Sequence, residues 1–122
     1  MKINKFEEID AWKRARELTK MIYYISKEGH FSNDWTLRDQ IRKAAISVMS
    51  NITEGFDSGT KNEFVRFLTF SKRSTSEIQS QLYTALDQSY ISQNEFTTIY
   101  QEAEEIRKMI SGFIKYLKGI RN

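Results

Sequence analysis

The chain has 122 residues, a formal net charge of +3, one histidine and no cysteine, which gives room for one domain around one core. It excludes a disulfide framework, a thiolate metal site and a paired-histidine zinc or catalytic site around His30, and it fits a reducing cytosol. The start MKINKFEEIDAW lacks the apolar run of a signal peptide, and no stretch approaches the ~20 apolar residues of a membrane span, so a cytoplasmic protein with no membrane partner is expected.

No proline interrupts the chain and only five residues are glycine, so the pattern is helical throughout. A first helix is predicted over 5–27, with Ala11, Ala15, Leu18, Ile22 and Ile25 on one stripe. Asn4 with Glu7 can cap its start, and KEGHFSND, over 27–34, ends it. A second helix over 34–55 aligns Leu37, Ile41, Ala44, Ala45, Val48 and Ile52, and Gly55 supplies a left-handed stop. A third, over 61–88, opens on the capping box Thr60-x-x-Glu63 and carries Phe64, Leu68, Ser71, Thr75, Ile78, Leu82 and Ala85 at heptad spacing. The small hydroxyls Ser71 and Thr75 in that seam can bond helix backbone and permit close packing. A fourth, over 93–119, opens on Ser92-x-x-Glu95 and continues through Phe96, Ile99, Ala103, Ile106, Ile110, Phe113, Leu117 and Ile120. Four helices with short connections imply one all-α domain over 1–122, an antiparallel up-down-up-down four-helix bundle.

At about 100° per residue, Lys13, Arg16, Lys20 and Lys27 share a narrow outer stripe of the first helix, flanked by Tyr23 and Tyr24, with no acid inside it. Arg66, Thr69, Arg73, Ser76 and Ser80 make a second basic and hydroxylic stripe on the third helix. Such stripes suit a phosphate backbone with unstacked bases, or they are solvated faces that keep the chain soluble. On the second helix Ile46 points away from the core stripe, with Met49 and Phe56 on its shoulder, and Trp12, Ile9 and Tyr23 spread around the first helix. Either these widen the core contact or they form a subunit interface, and the position of Ile46 favours the interface.

Catalysis is not expected. The pairs Glu7–Glu8 and Glu104–Glu105 are adjacent, hence diverge on a helix surface, and Ser71, Ser74 and Thr75 have no base at a motif spacing. The glycines match neither a phosphate loop nor a dinucleotide fingerprint. No cofactor and no metal are expected.

FEEIDAWKRARELTKMIY, through Phe6, Ile9, Trp12, Ala15 and Leu18, and QIRKAAISVMSNITEGF, through Gln40, Ile41, Arg42, Ala44, Ala45, Ser47, Ser50, Asn51, Ile52, Glu54, Gly55 and Phe56, are followed in order by EFVRFLTFSKRSTSEIQSQL. These segments resemble the four-helix bundle proteins named for intervening sequences in bacterial 23S ribosomal RNA genes, over nearly the whole chain. Met49 stands where that family usually has proline, implying a straighter second helix, and Arg73 where it has glycine, adding to the basic stripe.

The resemblance implies a non-enzymatic protein. One relative, the accessory protein of diversity-generating retroelements, is a homopentamer that binds nucleic acid and a reverse transcriptase. Carried over, this implies a ring-like homo-oligomer, a pentamer by the resemblance, whose basic faces meet RNA or DNA. The other reading is a protein-interaction scaffold or an accessory subunit, for example of a reverse transcriptase, without nucleic-acid contact. The signature corner Asn51, Glu54 and Gly55 has a structural reading, with Asn51 bonding backbone across the seam and Glu54 pairing with Arg42 or Lys43, and a functional one, ligand contact.

Overall fold

The structure, a computed structural model, describes residues 2–120. Its elements are α1 (Asp10–Ser26), α2 (Gly29–Asn33), α3 (Trp35–Asp57), α4 (Lys61–Asp87) and α5 (Gln93–Lys118), preceded by a 3₁₀ turn over Phe6–Glu8, and no strand occurs among the described residues. The chain is all-α, as its periodicity predicts.

The expected first helix is broken near its start. Ile9 is extended (φ −76°, ψ 120°) and only 3% exposed, so the chain turns there to bury it, and helix begins at Asp10. The carboxylate that closes the lead-in is Glu8, which accepts from Asn4 N at 3.0 Å, rather than Glu7. The segment 27–34 is also more than a turn. Gly29 takes a positive φ of 65°, and the short α2 that follows buries Phe31, whose ring stacks on Tyr90 at 5.3 Å.

The helix starts show how caps set boundaries. Asp34 Oδ1 accepts from Leu37 N at 3.1 Å and so fixes the first turn of α3. At α5 both halves of the box form: Ser92 Oγ accepts from Glu95 N at 3.1 Å, and Glu95 Oε1 accepts from Ser92 N at 2.9 Å. At α4 only half forms. Thr60 Oγ1 accepts from Glu63 N, but the Glu63 carboxylate turns to Arg66 Nε at 2.6 Å.

Gly55 does not stop α3, which runs on to Asp57. The left-handed residue of the corner is Gly59 (φ 87°). Gly55 is buried, and a Cβ there would lie 2.8 Å from Phe64 Cδ1 and 3.1 Å from Phe67 Cβ. Its lack of a side chain serves the close approach of α4 to α3.

α1 packs against α3 and α5, and α4 against the same two helices. Leu18, Ile22, Ile41, Ile52, Leu68, Ile78, Leu82, Ile106 and Ile110 are fully buried between them, each such side chain contributing roughly 1.5–3 kcal/mol. Of the expected core positions, Ile25, Phe64 and Phe113 are half-buried and Ile120 is exposed beyond the end of α5. Ser71 Oγ donates across the seam to Val48 O at 2.7 Å, whereas Thr75 Oγ1 donates within its own helix to Lys72 O. Among the described residues no helix is long and apolar enough to cross a membrane.

Candidate nucleic-acid interface

Lys13, Arg16, Lys20 and Lys27 are all exposed on α1 or just past its end, because the apolar stripe turns the opposite face inward. The stripe is not free of acid. Asp10 lies 3.9 Å from Lys13 Nζ and Glu17 lies 3.2 Å from Lys20 Nζ, each one turn back along the helix. Lys27 Nζ sits 4.9 Å from the Tyr24 ring centre. Exposed pairs of this kind contribute about 0–1 kcal/mol, so these ammonium groups exchange partners readily. Arg16 lies beside Trp12 in a shallow surface hollow.

On α4 the basic groups are organised differently. The Arg66 guanidinium lies 4.7 Å from the Phe67 ring centre and 5.3 Å from that of Phe70, and the Arg73 guanidinium lies 5.8 Å from the Phe70 ring centre. The two rings meet edge to face at 6.1 Å. The structure therefore brings Arg66 and Arg73 together through Phe70, a residue that the heptad pattern passes over because it belongs to no core position. The signal was present in FVRFLTF, whose phenylalanines recur every third residue and so leave the apolar stripe after Phe64. The α1 and α4 stripes are not brought together, since these two helices share no extensive seam.

At the corner, Asn51 Nδ2 donates to Ser47 O and Ser47 Oγ, both at 2.9 Å, so its bond is within α3 and not across the seam. Ser74 Oγ from α4 donates to the same Ser47 Oγ at 3.0 Å, so Ser47 joins Asn51 to the facing helix. Arg42 is not the partner of Glu54: its Nε donates to Ser26 Oγ at 2.9 Å and its guanidinium covers the Tyr23 ring at 4.4 Å. Glu54 is exposed. The family model for the 23S rRNA-intervening sequence protein matches residues 7–112.

The chain belongs to that family. A crystal structure at 1.70 Å of a protein with unknown function from the S23 ribosomal protein family, from Bacteroides thetaiotaomicron VPI-5482, has a similar fold, with a TM-score of 0.78 at 20% identity over 86% of this chain and 98% of that one. At that identity the likeness bears on fold alone. No curated protein matches the chain.

The residues expected at a subunit interface divide. Trp12, Met49 and Phe56 pack against the chain's own core. Trp12 meets Phe6 edge to face at 5.1 Å, Met49 Sδ accepts from Thr19 Oγ1 at 3.3 Å, and Phe56 meets Phe64 at 6.3 Å. These three widen the core contact, as does the buried Ile9. Ile46 stays 44% exposed, beside Tyr23, Arg42 and Lys43.

Electrostatics is concentrated elsewhere, on α5. Arg107 and then Gln79 hydrogen-bond the Glu104 carboxylate and pull its pKa from the ordinary 4.5 to about 2. Arg14 reaches Glu102 with two bonds, Nε to Oε2 at 2.8 Å and NH2 to Oε1 at 2.7 Å, and that bond raises the arginine pKa. The Gln79 and Arg14 bonds join α5 to α4 and α1, and the Arg107 bond stays within α5.

Proposed function

We propose that this member of the family is a non-enzymatic, cytoplasmic, self-associating bundle that binds RNA or DNA through the basic outer faces of α1 and α4. The bundle is formed by α1, α3, α4 and α5 running up-down-up-down. Cross-helix partners support that order: Phe64 meets Phe113 at 5.2 Å while Gln79 reaches Glu104, so sequence numbers rise along α4 as they fall along α5.

The observation that carries the binding reading is the exposure of Lys13, Arg16, Lys20, Lys27, Arg66 and Arg73 on faces that take no part in the core. A nucleic acid that releases counterions is the partner such faces suit. Replacing Lys13, Arg16 and Lys20 by Gln removes charge without touching a core position, and Gln is a comparable helix former. Affinity for a generic RNA or DNA is then expected to fall, with the salt slope shrinking by roughly 0.7–0.9 per lost contact. Unaltered affinity and slope would reduce the stripe to a solvated face.

The exposed Ile46 favours a second element, contact between copies, and leaves room for the scaffold or accessory-subunit reading, in which a reverse transcriptase or another protein is the partner. Ile46→Lys is expected to keep helicity and lower the mass seen by light scattering. A ring of five rests on the family resemblance alone.

A further inference from the structure

Among the described apolar side chains that are half-buried, all but two pack against the core, and the two are Phe67 and Phe70. They are not stray. Gly55 leaves space for the Phe67 stem, whose Cβ would stand 3.1 Å from any Cβ at that position, so α4 is held tightly enough against α3 to present both rings at the outer margin of the seam. Arg66 lies over both and Arg73 over the second. Ring, guanidinium and ring thus form a run of flat π and cationic surfaces along one side of α4.

We infer that Phe67 and Phe70, framed by Arg66 and Arg73, are a stacking platform for the bases of a single-stranded nucleic acid. This rests on the nucleic-acid reading above and adds to it the strand type and the residues that meet the bases. A base has a π face whatever its identity, so phenylalanine rings and arginine planes receive it without sequence preference. In a duplex those faces are covered by their neighbours, and only an unpaired strand can offer them. Phe67 to Arg73 spans about 9 Å of helix at ~1.5 Å per residue, room for about two bases. The guanidinium groups supply the countercharge for the flanking phosphates. Arg66 shares its charge with exposed Glu63, while Arg73 has no acidic partner among the described residues. A second copy is a poorer occupant, because a two-fold contact through this face would set Arg66 and Arg73 against their own counterparts.

The test uses the full chain and fluorescence anisotropy with three labelled probes of equal length: oligothymidylate, the same strand without bases, and a duplex. The wild type is expected to bind oligothymidylate roughly tenfold or more tighter than the baseless strand. Phe67→Leu with Phe70→Leu keeps apolar bulk and is expected to remove that difference while leaving the salt slope and the baseless-strand affinity unchanged. Should that variant lose its helical circular dichroism, Arg66→Lys with Arg73→Lys replaces it, keeping charge and losing the planar cation, and it is expected to lower the preference for bases severalfold. Equal binding of base-bearing and baseless strands by the wild type, tighter binding of the duplex, or a preference that survives both variants would overturn the platform while the broader binding reading stands. No binding of any probe would overturn both. A fall in mass of the leucine variant with unchanged binding would assign this face to contact between copies.

Discussion

The α3/α4 seam and the α1/α5 seam are built from opposite materials. Along α3 and α4 the small residues Gly55, Ser47, Ser71 and Ser74 sit in the contact beside the apolar core, and the hydroxyls bond across it, Ser71 to Val48 O at 2.7 Å and Ser74 to Ser47 Oγ at 3.0 Å. Along α1 and α5 the work falls to long side chains. Arg14 clasps Glu102, and toward the other end Met21, Ile25 and Ile99 line an open groove of about 700 Å³. Residues with little or no side chain let two backbones come together and exclude solvent. Long ones hold helices at a distance, and whatever space they fail to fill becomes surface. Tolerance to substitution should therefore differ sharply between the two seams.

Gly55→Val is the harshest way to break the contrast. The added atoms meet Phe64 and Phe67, including Phe64 O at 3.2 Å from the Cβ alone, and backbone cannot swing aside. Overpacking is expected to cost about 3 kcal/mol, well beyond the gain of roughly 0.5 kcal/mol in helix propensity, as read from urea unfolding. Wild-type stability in this variant would mean the seam has slack. On the α1/α5 side, Arg14→Gln is expected to cost about 1 kcal/mol, since it leaves the mostly covered Glu102 without its partner. A double-mutant cycle with Glu102→Gln isolates the pair, and a coupling near zero would show that apolar packing alone holds α1 to α5.

The smallest effect sharpens the picture at the third seam, between α4 and α5, where Gln79 and Arg107 bond Glu104. Its pKa is depressed from 4.5 to about 2, so its contribution is complete above the unfolded value and fades as pH falls through the folded one. Wild type and Glu104→Gln are expected to differ in stability near neutral pH and to converge between about pH 4.5 and pH 2. A constant difference across that range would show that shape, not charge, ties this residue in.

Periodicity made the four long helices legible, and the Ser92-x-x-Glu95 box marked the start of α5 to the residue. Three things were hidden for reasons particular to their residues. KEGHFSND is polar enough to pass for a turn, and nothing local reveals that Phe31 is buried under Tyr90. A glycine before a turn has two uses, left-handed geometry or close approach, and the corner assigns one to Gly59 and the other to Gly55; choosing between them requires knowing that Phe64 and Phe67 lie opposite. Charge patterns follow the sequence helix by helix, whereas the acids leaning in on Lys13 and Lys20 from Asp10 and Glu17 depend on rotamers. The rings of Phe67 and Phe70 were passed over because a search for core positions discards aromatics that fall off the stripe.

Asp34 has one carboxylate oxygen on Leu37 N at the start of α3, and its other accepts from the Tyr90 hydroxyl at 2.9 Å. Tyr90 also lies over Phe31 of α2. Segments far apart in sequence are thereby fastened at one end of the molecule by a single side chain. Opening the first turn of α3 releases the α4–α5 connection, and loosening that connection uncaps α3. The two stretches should exchange their amide hydrogens as one cooperative unit, with Asp34→Asn slowing neither and quickening both, so that one half-buried carboxylate governs how often this end of the protein breathes.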